Sequence, residues 1–233
     1  MILKDGSEVQ DARFGRLMHF DECSKNYPIM ATVEGKKQRS YTWRCDQTLN
    51  QGSEGSCVGH GISHELIARP AEASGIDHKY ATEKIYWPAQ KIDPWDGGSY
   101  PGCSPFYEGT SVLAGVKIAQ SLGWFEEYRW AFSLKSLILG VGHNGPAVTG
   151  FTWREDMLHP ARDGFVRVSG DSIGGHCTLV RAVNVKKRYF TIRNSWGISW
   201  GHGGDCYITF DEMDKLIHDR GEMVFFIGRH NHV

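Results

Sequence analysis

The chain has no long apolar run, no paired cysteine spacing and almost no charge imbalance, and each absence removes a class of function. No segment approaches the ~18 consecutive apolar residues that span a bilayer. Met1-Ile2-Leu3-Lys4-Asp5-Gly6 puts charge where a signal peptide needs an apolar stretch, which predicts a cytoplasmic protein with no membrane partner. A net charge of −1 gives no electrostatic grip on nucleic acid. Six cysteines (23, 45, 57, 103, 177 and 206) contain no CxxC pair, which argues against zinc ribbons and thioredoxin-type centres. Without a secretory signal a reduced state is expected. Repeats and low-complexity tracts are absent too. His64-Glu65-Leu66-Ile67 begins like a zinc-peptidase helix, but Ala68 stands where the second histidine belongs. The spaced pairs His60/His64 and His202/Cys206 therefore read as ordinary residues, with His60 and His64 on the polar side of a helix, and no metal is expected.

What remains is an ordinary globular composition, 40% hydrophobic and 23% charged over 233 residues, long enough for one large domain or two closely packed small ones. Residues 1–40 mix charge, Gly, Pro and short apolar pieces, and read as an irregular extension with a short strand near Ile29–Val33. Val58, Ile62 and Leu66 recur at helical spacing up to Pro70, predicting a helix over 57–69 capped by Ser56. Trp87 to Gly109 carries Pro, Gly and aromatics in loop fashion. Further helices are expected over 111–122 and from the Ser133 cap to Leu139. After Gly145 the pattern turns to β: Ala147–Phe151, Phe165–Val168, Cys177–Val183, Tyr189–Arg193, Cys206–Phe210 and Met223–Ile227. Helices first and strands afterwards predict an α+β fold: an extension (1–40), a mainly helical subdomain (41–145), a mainly β subdomain (146–233), and a cleft between the last two.

Gln51-Gly52-Ser53-Glu54-Gly55-Ser56-Cys57 runs straight into the first of these helices. Cys57 at a helix start meets the positive end of the dipole, which favours a thiolate. A free cysteine is ordinarily a small buried hydrophobe, so the assignment of a nucleophile needs a base and an orienting group. His176 opens a strand after Gly174-Gly175, and Asn194 closes another before Ser195-Trp196-Gly197. The Asn194 carbonyl could take one ring N–H of His176 and leave the other nitrogen to accept the thiol proton. Trp196 could cover that bond, and the Gln51 amide with the Cys57 N–H could hold an oxyanion. The five other cysteines read as structural thiols.

Together these residues resemble the papain-type cysteine peptidases. In that family a Gln-Gly-x-x-Gly-Ser-Cys turn opens the central helix, a Gly-His pair carries the base, and Asn-Ser-Trp-Gly carries the orienting amide. The resemblance covers about 41–230 and continues through Trp200-Gly201-His202-Gly203-Gly204-Asp205-Cys206-Tyr207. It implies a two-subdomain fold, helical on the left and β-barrel-like on the right, a peptide or protein substrate, and no cofactor. It assigns Cys57, His176, Asn194 and Gln51 to catalysis. Substrate contacts fall on Gly109, Ala147, Gly175 and Trp196, with room for an apolar substrate side chain beside strand Ala147–Phe151. Two departures stand out. Glu54 replaces a disulfide cysteine, and its carboxylate opposes ionisation of Cys57. The extension is shorter than the family's inhibitory propeptide, so it is expected to act without a full prodomain. The expected activity is peptide-bond hydrolysis through an acyl-enzyme. A cysteine amidase or exopeptidase on small or cell-wall peptides, and a silent peptide-binding scaffold, stay open.

Overall fold

The computed structural model describes residues 1–230. Its elements run β1 (Arg16–Leu17), α1 (Met30–Val33), β2 (Tyr41–Thr42), α2 (Cys57–Ile67), α3 (His78–Tyr80), a π-helical turn (Ala81–Tyr86), α4 (Trp87–Ile92), β3 (Thr110–Ser111), α5 (Val112–Ser121), β4 (Phe125–Trp130), α6 (Leu134–His143), β5 (Ala147–Arg154), β6 (Ser172–Asn184), β7 (Tyr189–Arg193), β8 (Asp205–Thr209), α7 (Phe210–His218) and β9 (Glu222–Arg229). One seven-stranded sheet has the order β4-β9-β5-β6-β7-β8, with β2 added to β6, and every pairing in it is antiparallel.

The central strands bury both faces, so their alternation divides between two cores. Ala147, Val180, Met223 and Phe225 join α6 and α7 through Leu137, Ile138, Met213 and Leu216. Their neighbours Val148, Leu179, Val224 and Phe226 join α2 and α5 through Val58, Ile62, Leu66 and Val116. Burying a Leu, Ile or Phe side chain is worth about 1.5–3 kcal/mol, so these two clusters fix the sheet register.

Several expectations need correction. Ile29–Val33 is a helical turn, not a strand. The presumed loop from Trp87 begins as α4, because Pro88 sits in the first turn, where its missing N–H costs nothing. Phe165–Val168 makes only an isolated bridge to Tyr207. β4 and α7 were not expected. In β4, Phe125-Glu126-Glu127-Tyr128-Arg129-Trp130 is half exposed, and its charges hide the strand period. β2 and β4 both join the sheet, so the division at residue 145 is crossed on the β side.

Helix α2 is enclosed on all sides, which corrects the polar face expected for His60 and His64: both are fully buried. Gly59 lets the Ala81 carbonyl approach, and Gly61 lets the Cys177 sulfur in, where a Cβ would lie 2.7 Å away. Most of the buried polar groups find partners, although Ser63 Oγ, His64 Nδ1 and Glu65 Oε2 have none among the described residues. His60 Nδ1 meets the Ser56 carbonyl at 2.9 Å and its Nε2 meets His78 Nδ1 at 2.9 Å. His64 Nε2 accepts from the Leu49 N–H at 2.9 Å, and Glu65 pairs with Arg229 at 2.6 Å. Among the described residues, no cluster of three or more His, Cys, Asp or Glu side chains could hold a metal, and no helix is long and apolar enough to cross a membrane.

Candidate active site

The Gln51–Cys57 turn is pinned against the strand-end segment that follows β7. The Gln51 N–H donates to the Ser195 carbonyl (2.9 Å), and the Ser195 hydroxyl donates to Gln51 Oε1 (2.7 Å). Gln51 Nε2 then has one direction left, and donates to the Glu54 carbonyl at 2.7 Å and the Arg13 carbonyl at 3.1 Å. Cys57 follows as the first residue of α2. Ser56 precedes it without the expected side-chain cap; its hydroxyl lies 3.3 Å from His60 Nδ1 instead. Glu54 turns its carboxylate to the Thr82 hydroxyl (3.2 Å), away from the role of opposing charge expected for it.

β6 carries His176 and Cys177 along the side of α2. His176 Nε2 lies 2.7 Å from Asn194 Oδ1, while its Nδ1 is buried without a hydrogen-bond partner among the described residues. A neutral ring whose Nε2 donates to an amide oxygen leaves Nδ1 as the acceptor. Trp196 covers the ring at 4.7 Å between centroids, tilted by 34°. Trp153 meets it edge-on at 4.9 Å, a contact sequence reasoning missed, although Trp153 lies only two residues beyond the expected strand.

The largest surprise is the extension. Residues 13–17 run through the cleft beside Cys57. Phe14 packs edge-on against His176 (5.8 Å) and Trp196 (5.9 Å), and the Arg13 guanidinium stacks over Trp196 at 4.1 Å. Gly15 passes so near the Gly55 carbonyl that any Cβ would collide with it. The Gly15 carbonyl accepts from the Thr110 N–H at 2.9 Å, and Arg16 and Leu17 pair in parallel with Thr110 and Ser111. Gly175 faces the Arg16 carbonyl closely enough to exclude a Cβ. Gly109 and Gly175 thus touch the segment from opposite walls. Ala147 does not: it is fully buried in the core beneath α6 and α7, because the opposite face of β5 turns toward the cleft. There Gly150, not Ala147, meets the inserted chain, 2.7 Å separating its ideal Cβ from Arg16 Nε.

Burial sets the charge state in the covered cleft. Burial pushes the Cys57 thiol up to about 11, against the lowering effect of the Gly15, Cys177 and Val58 backbone N–H groups and the Arg16 charge. Burial likewise takes His176 down to about 4, although its bond to Asn194 works the other way. With the strap in place both groups are neutral at pH 7, not the expected thiolate–imidazolium pair. On the β side the strap leaves a cavity of about 570 Å³ bounded by Phe14, Thr152, Gly174 and Gly175.

No family model matches the sequence. Over 79 residues the chain is 32% identical to cathepsin B-like cysteine proteinase 3 of Ostertagia ostertagi, covering 33% of this chain and 45% of that one. Over 82 residues it is 32% identical to cathepsin B of Dictyostelium discoideum, covering 31% of this chain and 26% of that one. The chain thus matches less than half the length of these curated relatives. Among solved structures it resembles xylellain, a cysteine protease from Xylella fastidiosa, with a TM-score of 0.72 at 14% identity, covering 96% of this chain and 99% of the other. Bromelain from Ananas comosus aligns with a TM-score of 0.54 at 15% identity, over 83% of this chain and 100% of that one. The fold is the papain-like α+β fold.

Proposed function

We propose that this chain is a cysteine peptidase whose cleft is covered by its own residues 13–17. The observation that carries this is the His176 ring, held by Asn194 at Nε2 (2.7 Å) with its other nitrogen buried and unpartnered among the described residues. His64 in α2 also keeps an unpartnered Nδ1, but the His176 ring alone stands against Asn194 and under Trp196 on the strand that carries Cys177 along α2, beside the Cys57 helix start. In the uncovered cleft water returns, the cost of charge falls, and the Cys57 proton passes to His176 Nδ1. The thiolate attacks the substrate carbonyl. Gln51 Nε2, released from the Arg13 carbonyl, donates to the oxyanion together with the Cys57 N–H. His176 gives its proton to the departing amine, and water, deprotonated by the same ring, hydrolyses the thioester.

The strap also bears on the kind of cleavage. It passes along the cleft from Gln51 to Thr110 and does not plug one end, which favours internal cleavage over an exopeptidase. Cys57→Ala is expected to abolish hydrolysis of a diverse peptide library followed by mass spectrometry. Unchanged turnover would end the proposal. A Cys57 that stays unreactive to iodoacetamide after the strap is loosened would favour a silent peptide-binding scaffold.

A further inference from the structure

The helix that begins with Cys57 holds a buried polar ring that the Cys57–His176 chemistry leaves unused. His60 is fully buried, in a place that an apolar ring would fill without needing any partner. Its Nδ1 lies 2.9 Å from the Ser56 carbonyl oxygen, and its Nε2 lies 2.9 Å from Nδ1 of His78, the exposed first residue of α3. A carbonyl only accepts, so the proton of the neutral ring is on Nδ1, and Nε2 accepts from His78. Burial takes the ring down to about 4, against the effect of the Ser56 bond, so His60 is a neutral donor at pH 7.

The Ser56 carbonyl is one side of a flat peptide unit whose other side is the Cys57 N–H. Cys57 opens α2, so that N–H belongs to the first turn, whose N–H groups have no acceptor within the helix. The carbonyl takes the ordinary helical bond from the His60 N–H at 3.2 Å and a second from the His60 ring at 2.9 Å. Two donors on one carbonyl hold the peptide plane against rotation. They also draw electron density toward the oxygen, which makes the N–H on the far side a stronger donor. The Ser56 side chain supplies no cap to the helix, so the ring holds this turn from within.

We propose that His60 is a positioning residue for the oxyanion: its Nδ1–H fixes and polarises the Ser56–Cys57 peptide, and His78 keeps the proton on Nδ1 by donating to Nε2. This rests on the peptidase reading and adds a device that holds the Cys57 N–H, as the Ser195 hydroxyl holds the Gln51 amide. Without His78, Nε2 is free to take the proton, and the lone pair then left on Nδ1 faces the Ser56 carbonyl and repels it. The two histidines stand 18 positions apart, and no local pattern links them.

The test uses the full chain in the Phe14→Ser background, where the strap is loosened. An asparagine amide nitrogen can stand where Nδ1 stands, whereas glutamine reaches to the place of Nε2. His60→Asn therefore keeps the bond to Ser56, and His60→Gln keeps only the one toward His78. On a peptide that the parent chain cleaves, His60→Gln and His60→Phe are expected to lower kcat by about 10-fold with KM nearly unchanged, and His60→Asn to recover most of it. NMR of isotope-labelled cysteine, without substrate, gives a second readout. The Cys57 amide nitrogen should move upfield in His60→Gln and His60→Phe and stay near its native position in His60→Asn, because its resonance follows hydrogen bonding at the preceding carbonyl. An unchanged kcat, an equal loss in all three variants, a loss carried by KM, or a Cys57 nitrogen that ignores the substitutions overturns the proposal. A parent chain that hydrolyses nothing counts against the peptidase reading alone, and the nitrogen resonance then decides whether His60 grips the peptide. Should the His60 variants fail to fold, the exposed His78 carries the same test: His78→Ala should reproduce the loss, and His78→Asn, which keeps a donor opposite Nε2, should restore kcat.

Discussion

Besides the Glu65–Arg229 pair of α2 and β9, two further interior sites bring arginine to a carboxylate, and they differ in whether one partner lies on a short separate segment. Arg193 meets Asp205 at 2.5 Å, Arg181 closes on the same carboxylate from β6, and all three side chains belong to one sheet. Arg193 also donates to the Gln47 carbonyl (2.9 Å) and the Thr48 hydroxyl (2.7 Å), which ties down the loop leading to Gln51. At the other site, Arg16 reaches Glu222 from a two-residue strand whose sheet partner is another two-residue strand. One acid holding two cations inside a continuous sheet is a brace. One acid holding one cation on a short separate strand, with an oxygen left over, has the makings of a latch.

The sharpest way to break the comparison is to remove the acid from the brace. Asp205→Ala leaves two guanidinium groups beside each other in a mostly buried place, and the expected loss is about 3–5 kcal/mol of stability. Urea denaturation measures it. A loss under ~1 kcal/mol would mean the cluster is no more of a brace than the strap pair.

Acid separates the cleft from the helix interior. Burial takes both His60 and His176 down to about 4; His78 adds to this at His60, and Arg13 at His176, while Asn194 and Asp11 act against it at His176. A base with a folded value below its unfolded 6.5 contributes stability that is full above 6.5 and is lost as pH falls toward 4. Each histidine accounts for on the order of 2–3 kcal/mol across that window. Glu65 and Glu222, both raised by burial against their arginines, oppose the trend with the opposite sign. His60 is buried by α2 and its surroundings, whereas His176 owes part of its cover to Phe14. Urea midpoints between pH 7 and pH 4.5 should therefore fall in both the native chain and Phe14→Ser, but less in the variant. Equal falls would show that the strap does not set the charge state of His176.

The strap itself is the next lever. At pH 7 a thiol near 11 is ionised to roughly one part in 10⁴ and an ordinary one near 8.5 to a few per cent, so opening the strap should speed Cys57 alkylation by ~100-fold. Phe14→Ser followed by timed iodoacetamide labelling reads this directly. An unchanged rate would mean that the thiol is already accessible past the latch.

How much of this could be read from the chain depends on distance along it. Cys57, His176, Asn194 and Gln51 stood out because each sits in a short local pattern at the start or end of one element. Tyr189–Arg193 was also bounded correctly, between turn residues on both sides. Arg16 and Glu222 could not be paired in advance: their partnership spans 206 positions and exists only because residues 13–17 enter the cleft. His60 and His64 were misplaced for a related reason. A polar residue at helical spacing looks solvent-facing unless one knows that His78, Ser56 and Leu49 come to meet it. Strand Ala147–Phe151 was expected beside the cleft, but alternation alone did not say whether the Ala147/Thr149 face or the Val148/Gly150 face turns to it; the contact of Gly150 with Arg16 decides that.

The smallest effect probes the path from brace to chemistry. Ser195 lies two residues beyond Arg193, and its hydroxyl donates to Gln51 Oε1 at 2.7 Å in a site 1% exposed. That bond fixes which way the Gln51 amide points, and so, in the proposed mechanism, where Nε2 would meet the oxyanion. Ser195→Ala removes one neutral hydrogen bond worth about 1 kcal/mol, a several-fold effect. The loss should fall on kcat and leave KM nearly unchanged, because the oxyanion forms only in the transition state. The Gln51 backbone would keep its place through its 2.9 Å bond to the Ser195 carbonyl, so stability should change little. Steady-state kinetics on a peptide cleaved in the library, measured in the Phe14→Ser background so that the cleft is open, decides it. A change confined to KM would assign the serine to substrate binding, and no change at all would leave the Gln51 amide oriented by the Glu54 carbonyl alone, with the brace ending at the loop it holds.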